Sequence, residues 1–318
     1  MGASNELRLW LQTPGYGPQD RAAIVEQEHT GHAHHRHDNT AMRELKDMTV
    51  AITGASAGIG RALAVELHRR GARLALAARR IDMLTELNRE LGGDHLILRT
   101  DVSQEDDCAA FISAAQTRFG RIDTLVCNAG YGIMRNIGEM TSTEWQALMA
   151  TNVYGTTNCI YAALPAMSTQ SERYGWRGQM MIVSSCLARR SGPEVGAYAA
   201  TKAAQLSIAE ALRLELAEQR IAVTSVHPIG TDTEFIDAAA AIGGRKFSRD
   251  SNEPIQSAST VAERMVKAII HPRPEVWPYP LARWAFGLAT LFPSMTDGAV
   301  RRRWLRSKSS APGSSPKS

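Results

Sequence analysis

The chain has 318 residues, 44% of them hydrophobic and 21% charged, the balance of a folded globular protein; a disordered, collagen-like or coiled-coil chain is excluded. Its net charge of +4 is unevenly placed. Residues 301–318 carry six basic groups (Arg301, Arg302, Arg303, Arg306, Lys308, Lys317) and no acid, which leaves 30 basic against 32 acidic groups in residues 1–300. A nucleic-acid binder is expected to show a basic face on its folded body, so no nucleic-acid partner is expected.

The first 43 residues lack sustained periodicity and hold five of the nine histidines (His29, His32, His34, His35, His37). Composition favours an unstructured polar leader over an adventitious metal cluster, and no metal site is predicted. Arg8 interrupts the only early apolar patch, Leu7–Leu11, so no secretory leader is expected. The longest apolar run, Trp284–Phe292, is far short of the ~20 residues a spanning helix needs. Four cysteines (Cys108, Cys127, Cys159, Cys186) without Cys-x-x-Cys spacing read as reduced thiols of a cytoplasmic protein.

From residue 44 to about 280 the pattern predicts one domain in which short apolar strands alternate with longer helical segments. Strands are expected at Thr49–Thr53, Arg73–Ala78, Leu96–Thr100, Thr124–Asn128, Gln179–Ser184 and Ala222–His227, with an edge strand at Glu275–Tyr279. Nearly all-apolar strands mark a parallel sheet covered on both faces. The expected fold is therefore α/β, a doubly wound parallel sheet of about seven strands. Helix is expected over Ile59–Arg70, with Gly71 at its C′ position. Residues 231–258 read as a mobile substrate loop, and 259–270 as an amphipathic helix. Residues 281–306 form an amphipathic helical segment, and 307–318 a low-complexity basic tail.

The first strand runs into Thr53-Gly54-Ala55-Ser56-Ala57-Gly58-Ile59-Gly60. A glycine-rich turn between a first strand and a first helix lets the backbone approach a pyrophosphate, which the helix N-terminus attracts. Arg79 and Arg80 follow the second strand, where a cofactor with a free ribose hydroxyl usually meets an acid. Arginine suits a 2′-phosphate, so NADP(H) is inferred over NAD(H); the plain alternative is a solvated helix start.

Tyr198 and Lys202 lie four residues apart in a helix-forming run and project from one face. An ammonium beside a phenol favours the phenolate and is expected to lower its pKa toward working range. Ser185 closes the fifth strand at the carboxyl edge of the sheet, where doubly wound folds bind ligands. By itself the Tyr–Lys pair is also compatible with a solvated helix face.

Together these motifs resemble the short-chain dehydrogenase/reductase family, with its Rossmann-type sheet. The resemblance covers about residues 46–235 and rests on Gly54, Gly58 and Gly60, on Asp101-Val102, Asn128-Ala129-Gly130 and Asn152, and on Ser185 and Tyr198-x-x-x-Lys202. It implies that Tyr198 is the general acid/base, that Lys202 tunes it and holds the nicotinamide ribose, and that Ser185 positions the substrate oxygen. Asn152 would support a water linking Lys202 to solvent. Gly54, Ser56, Gly58, Ile59, Gly60, Arg79, Arg80, Asp101, Val102, Asn128, Ala129 and Gly130 would line the cofactor, Asn128 also bracing the sheet. After the sixth strand the family's Pro-Gly becomes Pro228-Ile229, so the loop carrying Thr231 and Thr233, expected near the carboxamide and diphosphate, runs differently.

The resemblance thus implies an oxidoreductase interconverting a carbonyl compound and an alcohol by hydride transfer. A catalytically silent NADP(H)-sensing or scaffold protein is the alternative. Tyr131, Leu187, Glu194, Ile229 and Phe235 are expected to wall a mostly apolar pocket. Cys186 reads as a small filler with some sensitivity to alkylation. A homodimer or homotetramer is expected. Leu281, Trp284, Leu288, Leu291 and Phe292 share one helix face, read first as packed on the pocket or a partner copy and otherwise as resting on a membrane surface.

Overall fold

The computed structural model describes residues 42–244 and 255–309, with side chains through residue 305. The histidine cluster, residues 245–254 and residues 310–318 lie outside the described residues. In chain order come β1 (Thr49–Thr53), α1 (Gly58–His68), β2 (Arg73–Ala78), α2 (Ile81–Glu90), β3 (Leu96–Arg99), α3 (Glu105–Phe119) and β4 (Thr124–Cys127). Then follow α4 (Ser142–Met149), a π-helical turn over Ala150–Tyr154, α5 (Gly155–Thr169), β5 (Gly178–Val183), α6 (Gly196–Glu215) and β6 (Ile221–Val226). The remainder is β7 (Thr231–Asp232), α7 (Glu234–Ile242), β8 (Gln256–Ser257), α8 (Ala258–Ile270), β9 (Glu275–Val276), α9 (Pro280–Leu291) and α10 (Pro293–Ser309).

Seven strands form one parallel sheet in the order 3-2-1-4-5-6-9, the doubly wound arrangement expected. The order reverses between β1 and β4, which opens a crevice at the carboxyl ends of those strands. Alternate residues feed the two faces. Val50, Ile52, Leu74 and Leu76 pack with Leu63 and Leu67 of α1 and with Val261, Met265 and Ile269 of α8. Ala51, Ala75, Leu125, Met180 and Ile182 pack with Phe111 of α3, Ile160 of α5 and Ala209 of α6. A leucine or isoleucine buried this way contributes roughly 1.5–3 kcal/mol, so both layers hold the sheet firmly.

The structure differs from expectation at several boundaries. The edge strand is only Glu275–Val276, paired with Ser225 and Val226; Pro278, which has no N–H to donate, lies beyond the ladder. Gly71 takes the left-handed conformation (φ 79°) two residues after the α1 cap Arg69, not one. Helix α7 occupies part of the expected loop, and β7 pairs with β8 across it. The C-terminal segment is two helices broken at Phe292–Pro293, and α10 continues past residue 306 to Ser309.

Arg43, counted with the leader, belongs to the fold. It is buried at the amino edge of the sheet, donating from Nη1 to Gln179 Oε1 (2.8 Å) and Ile269 O (3.1 Å) and from Nη2 to Asp123 O (3.1 Å). Asp123 in turn accepts from the Thr49 N–H (2.9 Å) and from Arg121 Nε (2.7 Å).

Candidate active site

At the carboxyl edge, Gly54 and Gly58 have φ of 67° and 55°, a region where a side chain is strained. A Cβ on Gly54 would stand 2.8 Å from Ala129 Cα, so the loops after β1 and β4 touch backbone to backbone. Asn128 Nδ2 donates to Thr53 O (3.0 Å) and Gly54 O (3.1 Å), while Thr53 Oγ1 accepts the N–H of Asn128 (3.1 Å) and Ala129 (3.2 Å). Helix α1 opens at Ala57 with no side-chain cap and no acid in its first turn, which suits an anion at its N–H groups. Thr233 lies beside this turn, its Cγ2 3.2 Å from where a Gly58 Cβ would sit. A cradle with no room for side chains, at an uncapped helix start, fits a dinucleotide diphosphate.

Arg80 reaches across the same turn, 3.5 Å from Ser56 Oγ and 3.2 Å from Glu234 at the start of α7. Arg79 is exposed. Asp101 Oδ1 accepts from the Ser103 N–H (3.0 Å) and hydroxyl (2.8 Å), which orders the turn before α3. Val102 is buried: a Cβ on Gly155 would stand 2.5 Å from its Cγ2, so its side chain serves the α3–α5 layer. Ile59 packs against the core, leaving its main chain to the glycine turn.

Ser185 follows β5, and its Oγ accepts from the Leu187 N–H (3.1 Å). Tyr198 and Lys202 share a face of α6, with Nζ 5.5 Å from the phenol ring centre. Lys202 Nζ donates to Val183 O (2.9 Å) and Gln205 Oε1 (2.8 Å). Gln205 Nε2 donates to Asn152 O (2.8 Å) and Thr156 Oγ1 (2.7 Å). Asn152 sits in the π-helical turn, where the side-chain amide bridges Tyr131 O (2.9 Å), the Tyr131 N–H (3.0 Å) and Thr201 Oγ1 (2.9 Å). The Asn152 main-chain carbonyl is taken by Gln205, so the link from Lys202 to the π turn is a side-chain amide. Gly130 stands directly over Asn152 Oδ1, 3.0 Å from the position of a Cβ.

The electrostatics differ from the simple expectation for a Tyr–Lys pair. Part of the Tyr198 ring is accessible, but its hydroxyl end is crowded by protein. That burial pushes the phenol above its ordinary value; Cys186 adds to the rise and a hydrogen bond with the Ser185 hydroxyl opposes it. Burial also pushes Lys202 down to about 7, so near neutrality the amine is only partly charged and its pull on the phenol is weak. The Cys186 thiol is pushed up to about 11 by burial, which disfavours the thiolate that alkylation requires.

The loop after β6 is fixed at several points. Cys186 N–H donates to Pro228 O (3.0 Å), Gln256 N–H to Gly230 O (3.0 Å), and Thr231 Oγ1 to Ile229 O (2.9 Å). Thr233 Oγ1 accepts from the Phe235 N–H (3.3 Å) and caps α7. The Phe235 ring lies 5.3 Å from that of Tyr198. Tyr131 and Leu187 are half-buried nearby. Glu194 is turned aside, with φ of 68°, and accepts from Trp304 Nε1 (3.3 Å), which ties it to α10.

Two residues of this edge escape sequence reasoning. Gln205 is fully buried, and its only signal is a polar side chain one turn beyond Lys202 among alanines. His227 is fully buried, its Nδ1 3.2 Å from Ser185 O and its Nε2 3.0 Å from Ser225 Oγ, and it stacks on Trp277 at 4.5 Å. A carbonyl only accepts, so the tautomer that fits carries its proton on Nδ1. His227 thus holds the main chain of Ser185 from behind.

Two hydroxyls meet at one sheet edge, with an amine behind them and a phosphate-ready turn beside them. Such a set can exchange a proton with a substrate oxygen next to a bound nucleotide. The sequence pattern of the short chain dehydrogenase family matches residues 48–241. An uncharacterised oxidoreductase of Listeria monocytogenes is 31% identical over 198 residues, 61% of this chain and 78% of that protein. The 11-beta-hydroxysteroid dehydrogenase 1A of Arabidopsis thaliana is 35% identical over 240 residues, 71% of this chain and 66% of that protein. Among solved structures, a short chain dehydrogenase/reductase from Burkholderia phymatum in complex with NAD superposes with a TM-score of 0.71 at 24% identity, over 80% of this chain and 97% of that one. An alcohol dehydrogenase from Thermococcus sibiricus complexed with 5-hydroxy-NADP gives 0.62 at 28% identity, over 72% and 95%. A family match over more than half the chain, on the fold and edge geometry described, makes this protein an oxidoreductase belonging to the short-chain dehydrogenase family.

Proposed function

We propose that the protein is an NADP(H)-dependent oxidoreductase that interconverts a carbonyl compound and a secondary or primary alcohol, on an apolar substrate. The observation that carries this reading is the meeting of the Ser185 and Tyr198 hydroxyls beside Lys202 at the carboxyl edge. A nicotinamide dinucleotide, when bound, supplies or accepts the hydride at the substrate carbon. In reduction Tyr198 gives its proton to the substrate oxygen as that oxygen gains the electron pair; in oxidation it takes the proton back. Burial keeps the phenol protonated, which suits the donor role. Ser185 holds the oxygen, and His227 and the Leu187 N–H fix Ser185. Lys202 is anchored by Val183 and Gln205, and its protonated form has a third N–H that would serve the ribose.

Arg80 beside Ser56 supports a 2′-phosphate, because its partner Glu234 is an exposed carboxylate that a dianion displaces at small cost. Gly54, Gly58, Gly60, Asn128, Ala129 and Thr233 would line the diphosphate, and Asp101 the adenine side. Phe235, Tyr131, Leu187 and Ile229 support an apolar carbonyl compound. Tyr154 and Tyr161, seven residues apart on the π–α5 run, are 59% and 64% exposed, a surface suited to a second copy of the chain in a homodimer or homotetramer. Four free, buried cysteines support a reducing, cytoplasmic setting.

The test is absorbance of the reduced cofactor with NADPH and, in parallel, NADH, across a panel of ketones and aldehydes. Turnover is expected with NADPH, and Tyr198→Phe is expected to lower kcat by about 10²–10⁴ while cofactor binding persists. NADPH binding without turnover over a broad panel would overturn the enzyme reading in favour of a sensor.

A further inference from the structure

Helix α9 is apolar on both sides. Ala282, Phe286 and Ala289 face the body, yet Leu281, Trp284, Leu288 and Leu291 line the opposite face and are 64%, 71%, 55% and 72% exposed. Their spacing of three, four and three residues keeps them in one row. Phe292 and Met295 extend the row into the next helix and are also exposed. The stripe, read first as packed on the pocket or a partner copy, does not pack on the pocket: within the chain it is the outer face. A contiguous outer row of large apolar side chains marks an interaction site rather than ordinary surface.

Charge identifies the occupant. Asp297 is the last acid in the chain; Arg301, Arg302 and Arg303 follow one turn later and are exposed, and Arg306, Lys308 and Lys317 continue the excess in sequence. Helix α9 itself has no acid and a single cation, Arg283. At twelve residues it is about 18 Å long, too short for a ~30 Å hydrocarbon layer, and no described helix is long and apolar enough to cross a membrane. An apolar face bearing a tryptophan beside a cationic cluster suits a helix lying in the headgroup layer of an anionic bilayer.

We propose that α9 and the arginines of α10 form a docking face for an anionic phospholipid surface, on which the protein rests without spanning it. The docked helices are pinned to the segment that follows Ser185. Arg190 pairs with Asp297, Thr290 Oγ1 donates to Arg189 O (3.3 Å), and Trp304 meets Glu194. A bound leaflet therefore lies next to the substrate side of the carboxyl edge.

The test is co-sedimentation of the full chain with vesicles of phosphatidylcholine alone or of phosphatidylcholine with phosphatidylglycerol. The protein is expected to pellet with the anionic vesicles and to be released by salt. Trp284→Ser with Leu288→Ser is expected to lower the partition at least about tenfold. Arg301→Ala with Arg302→Ala is expected to lower it about tenfold and to flatten the salt dependence. Melting temperature checks that each variant is folded, and the arginine pair decides the matter if the apolar pair is not. Equal pelleting with both vesicle types, no pelleting, or variants that bind like the parent would overturn the proposal. So would a fall in solution mass of the apolar variant with no vesicle binding by the parent, which assigns the face to a second copy.

Discussion

At the amino edge of the sheet, Arg43, Asp123 and Gln179 are bonded to one another, to main-chain groups and to the side chains of Arg121 and Thr224. At the carboxyl edge, Asn152, Gln205 and His227 are equally buried and bonded, and their partners include Lys202 and the main chain of Ser185, which stand with Tyr198 at the crevice. Both edges carry the desolvation cost of buried polar groups. Only the second brings two hydroxyls and an amine together beside the glycine turn. Stability at the first edge and chemistry at the second are therefore separable by substitution.

The largest expected effect tests the first edge. Arg43→Met strands the acceptors Gln179 Oε1 and Asp123 O and is expected to cost about 3–5 kcal/mol in chemical denaturation. The kinetic constants of the protein that remains folded should not change; a fall in kcat would erase the distinction between the edges.

Next comes pH. Burial lowers His227 from 6.5 to about 4, so between these values the unfolded chain binds a proton that the folded chain refuses. Stability is complete above pH 6.5 and is lost as pH falls toward 4, by on the order of 3 kcal/mol. Glu275, also lowered, adds to the loss in the same direction. Denaturation midpoints across that window measure the slope, and His227→Asn should flatten it.

A smaller effect separates support from catalysis at the second edge. Gln205→Leu removes the acceptor that favours the Lys202 ammonium, so kcat is expected to fall about tenfold. The limb of the pH–rate profile set by Lys202, near 7, should move to lower pH. An unmoved limb would reduce Gln205 to a packing residue. Smallest of all, Glu234→Gln frees Arg80 from its exposed partner and should tighten NADPH about two- to threefold, with no gain for NADH.

The strands and their parallel, doubly wound sheet were legible because a parallel sheet buried on both faces writes itself as short apolar runs. The glycine turn, Ser185 and Tyr198–Lys202 were legible because each is a local spacing with a chemical reason. Arg43 was not, since its partners Asp123, Gln179 and Ile269 are brought together only by the fold. Gln205 and His227 were hidden for the same reason: each acts on a main-chain carbonyl, which carries no side-chain signature. Helix α7 was concealed by its flanks, because Gly243-Gly244 and the charged residues beyond outweighed four consecutive alanines. The phenol's upward shift was invisible as well, since spacing reports a neighbour's charge but not the burial that drains it.

Phe235, resting on the ring of Tyr198 and carried by a helix held between the β7–β8 ribbon and the Arg80–Glu234 contact, has a kinetic consequence. Where release of a bulky product requires α7 to move, that motion rather than hydride transfer limits turnover, and solvent viscosity is then expected to slow the enzyme more than isotopic substitution of the transferred hydrogen does.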